Sequence, residues 1–543
     1  MGKTVLYGGG VMAMPDYADT RKRILGDILA HFAEATPDTV FLAADERRIT
    51  YREAYSEACA LAQGLRERGL GKGDRLCIFM GSSPEFVLIS FAANLIGAHW
   101  IPVNTDYRGA WLAGTISDSD PALIVTDEDY AERLQSVETA LPVCVHGHFS
   151  AAPAHWFSLA ELARPADGFQ AEPLDYGDTA SIMWTSGTTG KSKGVMQSHN
   201  AWIRSALSAT DMGKMRAGDV SYNCLPLYNS AAWVTGVYPA LVTGTTCAID
   251  PAFSASTFWD RVRYYGATHV FTLGAMHMFL WGAPEADNDA DNAIRSAQMV
   301  PMPDDIRAPF KQRFGIPAIH QGFGQSEIML LMRRVDDGQT EWPPNSLGDP
   351  AKDIEVALLD DEGKPVAVGE VGEVCIKEKA PHVLFNGYFN NEEANRSSFK
   401  DGWYHTGDLL KQDASGHYYF VDRKKDLIRY KGRSVSSVAI EAISRGHPAV
   451  DSAAAFGIPS KELESEHEIM LAVIIKKNAT LAPEELARFI NDNAPYFFVP
   501  RYIEVVDSLP MTPTQKVQKN ILREKGLSEN TWDAKAAGFV IER

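Results

Sequence analysis

Strands and helices alternate through the first half of the chain, and that alternation restricts its fold more than any other feature. Thr50 and Glu53 form a capping box ahead of a run whose Ala54, Ala58, Leu61, Ala62 and Leu65 share one helical face, with Gly69 as its stop. RLCIFM then reads as a strand, and SSPEF opens a second helix with Ser83 as cap and Pro84 in its first turn. HWIPVN, ALIVT, TTCAID and THVFTLG repeat the strand pattern further on. Strands separated by helices pair in parallel through right-handed crossovers, because a hairpin cannot bring two strands side by side in the same direction. The N-terminal part is therefore expected to be α/β.

Past about Gly348 the pattern changes to short strands with glycine turns, IEVALLDDEGKPV, GEVCIK and HYYFVD, which predict a mainly antiparallel module ending near Asp422. Beyond the charged run DRKKD, EIMLAVIIKK reads as a strand. PEELARFINDNA reads as a helix with Glu484 and Glu485 in its first turn and Leu486, Phe489 and Ile490 facing inward. The expected fold class is α/β: a large N-terminal domain of stacked α/β subdomains plus a small β module over residues 1–424, then a small mobile α+β C-terminal domain over residues 425–543, joined at Asp422 to Asp426. A chain of 543 residues is longer than one hydrophobic core supports, which agrees with this division.

A net charge of −18 argues against a nucleic-acid-binding surface and against adhesion to anionic membranes. The six cysteines, Cys59, Cys77, Cys144, Cys224, Cys247 and Cys375, lack the spacing of a zinc site or a disulfide framework, which points to a reducing, cytoplasmic setting. The most apolar long run, Val87 to Asn104, contains Asn94, His99 and Pro102 and reads as a buried helix followed by a strand rather than a membrane span. No signal peptide is expected, and the sequence leaves monomer and homodimer open.

Five segments carry candidate chemistry. SIMWTSGTTGKSKG ends like a Walker loop, but that motif needs glycine five residues before Gly190, where Thr185 stands. Its composition still suits phosphate: Gly187, Gly190 and Gly194 permit a tight backbone with N–H groups turned inward, and Thr185, Ser186, Thr188, Thr189 and Ser192 add hydroxyl donors beside Lys191 and Lys193. In QGFGQSE, Gly322 and Gly324 around Phe323 would let backbone approach a planar ring, while Ser326 and Glu327 would serve a phosphate and a divalent cation; a turn with a solvated Glu is the alternative. In DGWYHTGDL, Asp408 would accept ribose hydroxyls or cap its own turn. DRKKDLIRYKGRSVSS is a charged linker, and LPMTPTQKVQK places Lys516 in a loop near the end of the chain.

In this order and spacing, the five segments resemble the adenylate-forming (AMP-binding) superfamily, in its acyl-CoA synthetase branch. They are similar to fatty acyl-CoA synthetases, fatty-acid-transport-protein-like ligases and carnitine-CoA ligases, over about Ile28 to Arg523. The resemblance implies that TSGTTGKSKG holds the β- and γ-phosphates of ATP, that Glu327 holds Mg²⁺, that the Gly322 to Gly324 backbone flanks adenine, and that Gln325 belongs to the same cofactor site. It further implies that Asp408 and Arg423 fix the ribose, that Lys425 is the hinge, that Gly432 in KGRSVSS lines the pantetheine tunnel, and that Lys516 is the catalytic lysine. Lys519, three residues later, has no implied role. Ser326 replaces the commoner Thr and keeps its hydroxyl; Gln515 stands where Gly often precedes the lysine; Ser434 replaces a frequent Asn.

The implied reaction has two halves. A carboxylic acid and ATP give acyl-adenylate and pyrophosphate, and the thiol of coenzyme A then displaces AMP. In the acyl-pocket element CLPLYNSAAWVTG, Tyr228 and Asn229 stand where Phe and His are usual, no Asp is present to hold an amino-acid ammonium, and Trp233 matches the position of a gate tryptophan or packs as core. A medium- or long-chain or bulky apolar acid is the expectation; a carnitine-type acid and a freestanding ligase loading a carrier protein are the alternatives.

Overall fold

The structure is a computed structural model that describes residues 4–7, 10–137, 139–185, 192–430, 433–460, 467–512 and 516–541. The chain divides into two compact units. The first holds Met1–Thr185, Lys193–Glu355 and Glu378–Ser397, and the second holds Val356–Lys377 and Ser398–Arg543.

The first unit is α/β, with a short hairpin of Thr4–Tyr7 and Gly10–Ala13 and its other described strands in two large sheets. The parallel core of one is ordered His99–Pro102, Arg75–Phe79, Leu123–Asp127, Val143–His146 and Trp156–Ser158; Thr179–Trp184 joins it beside His99–Pro102, and Gly194–Ser198 pairs antiparallel with Thr179–Trp184 at the edge. The other sheet runs Ile319–Phe323, Ser296–Val300, His269–Leu273, Val220–Asn223, Thr246–Ile249 and Val40–Ala44 in parallel, with antiparallel strands on both sides.

Local chemistry explains the intervening helices. The helix Tyr51–Glu67 has the full capping box, Thr50 accepting from Glu53 N and Glu53 accepting from Thr50 N. The helix Pro84–Leu95 is buried on nearly all sides, and Asn94 stays in the core because its Nδ2 donates to Ala180 O at 3.0 Å. None of the described helices is long and apolar enough to cross a membrane.

The second unit carries most of the antiparallel module, whose strands Ile354–Leu359, Val371–Glu378, Trp403–Gln412 and Tyr418–Arg423 form one sheet. A separate sheet of Val450–Pro459, His467–Ile475, Tyr502–Val505 and Trp532–Asp533 follows, packed by the helix Pro483–Asn493 through buried Leu486 and Ile490. Phe489 is only partly buried and meets the His447 ring edge-on at 5.0 Å.

Three histidines of the first unit are held neutral. Burial pushes His99, His199 and His320 down to about 4 from the ordinary 6.5. For two of them the reason is also geometric: His199 Nδ1 accepts Leu25 N–H at 3.3 Å and His320 Nδ1 accepts Asp336 N–H at 3.0 Å, so a proton on either nitrogen breaks a buried bond. The unfolded chain binds these protons near pH 6.5 and the folded chain only near pH 4, so this stability is complete above the upper value and is lost as pH falls between the two. The stability measured by denaturant unfolding should therefore fall from about pH 6.5 to about pH 5, where ordinary carboxylates stay ionised, by up to ~1.4 kcal/mol per pH unit for each histidine. A flat stability profile over that interval would show that these imidazoles are charged in the folded protein.

Candidate active site

The loop read as phosphate-binding joins two antiparallel strands, with Trp184 opposite Gly194, and the next helix begins only after the second strand, at His199. A Walker loop runs from strand straight into helix, so the topology agrees with the failed Walker spacing. The neck of the loop is closed by Thr185 N–H donating to Lys193 O at 2.9 Å and Lys193 N–H donating to Thr185 Oγ1 at 3.1 Å. Ser186, Gly187, Thr188, Thr189, Gly190 and Lys191 lie outside the described residues, as do Gly432 and Gln515. A Cβ at Gly194 would lie 2.9 Å from Ile182 Cγ2 and 3.3 Å from Phe389 Cβ, so any side chain there would force these neighbours to shift.

Beside this neck the segment Asn386 to Phe389 adds itself to the sheet edge. Met196 N donates to Gly387 O at 3.0 Å, Phe389 N to Gly194 O at 2.8 Å, and Val195 bridges Tyr388. Gly387 has φ +104, a conformation that side-chain-bearing residues rarely adopt. The pairing brings Tyr388 into contact with two of the predicted residues. Its hydroxyl donates to Glu327 Oε1 at 2.8 Å, and Lys193 Nζ stands 4.6 Å from its ring centroid. Tyr388 escaped the sequence reading, and its only local signal was a glycine before an aromatic residue.

The turn carrying Glu327 leaves the strand Ile319–Phe323 and is very tight. Leu331 N donates to Phe323 O at 2.7 Å, Gln325 O accepts from Ile328 N and Met329 N, and Met329 takes φ +45. A Cβ at Gly324 would meet Met329 O at 2.5 Å and one at Gly322 would meet Leu330 Cδ1 at 2.7 Å, so both glycines make room for the turn itself. Phe323, Gln325 and Ser326 are partly buried, Ser326 O accepts from Gln197 Nε2, and Glu327 is 8% exposed. A carboxylate with Tyr388 on one oxygen and no described residue on the other is a hard oxygen donor of the kind Mg²⁺ takes alongside phosphates.

In the acyl-pocket element, Tyr228 and Asn229 are partly buried, and a π-helical turn spans Trp233–Val237. Trp233 is fully buried. Its Nε1 donates to Leu227 O at 2.7 Å, and its rings pack against Trp100 at 4.4 Å, Tyr238 at 5.1 Å and Phe86 at 6.1 Å. The Tyr228 phenol is pushed up by burial, then by the charge of Asp106, with Tyr130 and Tyr107 close by.

In the second unit Asp408 and Arg423 face each other across the ladder of Trp403–Gln412 and Tyr418–Arg423, and Arg423 Nε lies 2.7 Å from Asp408 Oδ1. Asp408 is 1% exposed, against 39% for the Arg423 side chain. The turn before it is held by Glu373, whose Oε1 accepts Gly407 N at 3.0 Å and whose Oε2 lies 3.2 Å from His405 Nδ1. Glu373, Cys375 and His405 are residue types that bind metal, but Lys424 Nζ already neutralises Glu373 at 2.9 Å, and burial pushes the Cys375 thiol up to about 12. The cluster works as a scaffold for the His405 to Asp408 turn.

Lys425 lies in the turn after Arg423 and is exposed. Desolvation by the surrounding chain, followed by the charges of Arg423, Arg523 and Lys516, pushes its ammonium down to about 8 against the opposing pull of Asp426. Lys516 is exposed and sits on a small loop in which Thr512 N donates to Lys516 O at 2.7 Å.

These geometries meet a consistent set of relatives. Residues 29–389 match the AMP-binding enzyme family and residues 439–516 the AMP-binding enzyme C-terminal domain. The chain belongs to the AMP-binding enzyme family. Over 488 residues it is 30% identical to a crotonobetaine/carnitine–CoA ligase of Salmonella enteritidis, covering 88% of this chain and 93% of the relative. The fold of this AMP-binding enzyme is shared with ATP-bound MatB from Rhodopseudomonas palustris, with a TM-score of 0.81, 24% identity, and coverage of 92% and 98% of the two chains. A benzoate CoA ligase from Burkholderia xenovorans gives a TM-score of 0.80, 24% identity, and coverage of 92% and 99%. Together they make the protein a ligase of the AMP-forming acyl-CoA ligase class.

One expectation is corrected. Lys519 is not an idle neighbour of Lys516: its ammonium is 2.7 Å from Glu441 and donates to Ser437 Oγ at 2.6 Å, with both side chains of the ion pair nearly buried. Lys519→Ala should destabilise the second unit by about 3 kcal/mol, because it strands a buried carboxylate, whereas Lys516→Ala should change stability by less than about 0.5 kcal/mol. Unfolding of the two variants followed by hydrogen exchange would check this, and equal stabilities would remove Lys519 from the core of that unit.

Proposed function

We propose that this enzyme joins a small carboxylic acid to coenzyme A at the expense of ATP, through an acyl-adenylate. The observation that carries the reading is the grouping of Lys193, Tyr388 and Glu327 at the neck of the glycine-rich hairpin loop: an ammonium and a carboxylate, both pre-positioned, beside a loop rich in hydroxyls and backbone donors. The acid's carboxylate attacks the α-phosphorus and pyrophosphate leaves. Two anions approach each other, so the barrier is lowered by positive charge fixed in advance. Lys193 and the loop from Thr185 hold the outgoing phosphates, with Ser326 as a further donor. Glu327 would hold Mg²⁺, which when bound neutralises phosphate charge. Asp408, kept oriented by Arg423, accepts the ribose hydroxyls, and the Gly322 to Gly324 backbone flanks the base.

Lys516, exposed and ending a short loop, is assigned to the converging carboxylate and α-phosphate. In the second half the thiol of coenzyme A attacks the acyl carbon, the acyl–phosphate bond breaks, and AMP departs. A turn about Lys425, with domains of residues 1–424 and 425–543, would exchange the Lys516 loop for the face that admits coenzyme A.

The acid is proposed to carry a quaternary ammonium, as in the crotonobetaine and carnitine of the named relatives. Packing of Trp233 as a core residue weighs against a long acyl tunnel at that indole. Tyr228, with Asp106, Tyr107 and Tyr130 around it, supplies the aromatic faces and negative charge that attract such a cation. Six free, buried cysteines support a reducing, cytoplasmic setting.

Two measurements test these assignments. Lys516→Ala should slow acid-dependent ATP–pyrophosphate exchange about a hundredfold, yet still convert synthetic acyl-AMP and coenzyme A to thioester near the parent rate, with exposed Lys477→Ala as control. Parallel loss of both halves in a folded variant would contradict the two-conformation mechanism. Asp106→Asn should raise KM several-fold for a trimethylammonium acid but not for its neutral tert-butyl isostere. Equal KM changes for the pair, or a preference for fatty acids across an acid panel, would return the substrate to the apolar class.

A further inference from the structure

We infer that Tyr388 is a positioning residue that couples the lysine of the phosphate loop to the cation-binding carboxylate; the inference rests on the assignment of Glu327 to Mg²⁺ and Lys193 to phosphate. The backbone of Tyr388 is locked before its side chain does anything. It bridges Val195, its N–H donates to Asn395 Oδ1 at 2.6 Å, and Gly387 and Phe389 are bonded to Met196 and Gly194 on either side. The side chain is 3% exposed, with the Phe385 ring edge-on at 4.8 Å. The phenol hydroxyl donates to Glu327 Oε1 at 2.8 Å while the ring face receives Lys193 Nζ at 4.6 Å.

Two chemical consequences follow. A glutamate on three rotatable bonds is held in one orientation by the phenol, which leaves its second oxygen to a cation. The hydrogen bond to a carboxylate also pushes electron density into the phenol ring, which strengthens its attraction for the Lys193 ammonium. Lys193 and Glu327 are 134 residues apart in the chain (327 − 193), and one side chain sets the separation of their charged ends. A partner that orients a metal ligand in this way typically contributes tenfold or more to metal affinity.

The test separates the hydroxyl from the ring. Tyr388→Phe keeps the ring under Lys193 and deletes the bond to Glu327; Tyr388→Leu deletes both; Glu327→Gln keeps an acceptor for Tyr388 and removes the charge. For each full-length variant, Mn²⁺ affinity is read by electron paramagnetic resonance in the presence of a non-hydrolysable ATP analogue, and affinity for the analogue alone is read in metal-free buffer. Tyr388→Phe should weaken Mn²⁺ binding about tenfold and leave metal-free nucleotide binding unchanged. Tyr388→Leu should weaken both, and Tyr388→Phe should have no further effect on Mn²⁺ in the Glu327→Gln background. If Glu327→Gln loses Mn²⁺ while Tyr388→Phe keeps parental affinity, the positioning role is wrong and the assignment of Glu327 stands. If Glu327→Gln keeps parental Mn²⁺ affinity, the assignment of Glu327 falls and takes this inference with it. A Tyr388→Phe variant that loses metal and metal-free nucleotide binding equally would show a general structural role and overturn the coupling.

Discussion

A single buried guanidinium organises the first unit. Arg204 is 5% exposed, on the helix His199–Gly213, and binds Asp353 through two bonds of 2.6 Å while donating to the carbonyls of Leu330 at 3.0 Å and Ile328 at 3.3 Å. Burial would raise the Asp353 carboxyl, but the hydrogen bonds and charge of Arg204 outweigh it and hold it below its ordinary value. Planar, five-donor geometry is what allows one side chain to satisfy a carboxylate and two peptide oxygens at once. The helix that follows the loop hairpin, the turn that carries Glu327 and the segment leading out of the large sheet are thereby tied to one point. The tightness of that turn, with Met329 at positive φ, depends on such an anchor.

The site built on this anchor is held by backbone as much as by side chains. Asn386 to Phe389 extends the sheet edge beside the loop, so Tyr388 stands on a strand-like support rather than on a free loop. Gln197, on the strand Gly194–Ser198, donates to Ser326 O and adds a second tie between loop and turn. Rigid supports of this kind keep charged groups aligned before substrate arrives, which is how fixed dipoles and charges lower a barrier that flexible ones would not.

The second unit relies on buried ionic pairs of its own. Glu373 holds Gly407, His405 and Lys424, and thereby sets the turn that presents Asp408. Asp422, 1% exposed and pushed up by burial, accepts from Ser437 N at 2.6 Å; Lys519 reaches the same serine and Glu441. Neighbouring lysines thus have opposite fates. Lys519 is absorbed into a core network at the start of the helix Ser437–Arg445, whereas Lys516 is exposed.

Local patterns in the sequence determined the elements: the capping box at Thr50, the Ser83 and Pro84 helix start, the alternating strands and the antiparallel change after Gly348 are each set by neighbouring residues. The family resemblance carried by the motifs likewise singled out Lys193, Glu327, Asp408, Arg423 and Lys516, because the order and spacing of the motifs are written along the chain. Tertiary structure alone decided what those residues touch. Tyr388 meets Lys193 and Glu327 through a strand pairing between segments nearly 200 residues apart. Trp233 became core because Trp100, Tyr238 and Phe86 converge on it from other elements, and Lys519 became structural because Glu441 lies on a different helix. Periodicity reports which face of an element is apolar, but the partner of a buried charge or ring is chosen by how the elements pack, and that information is distributed over the whole chain.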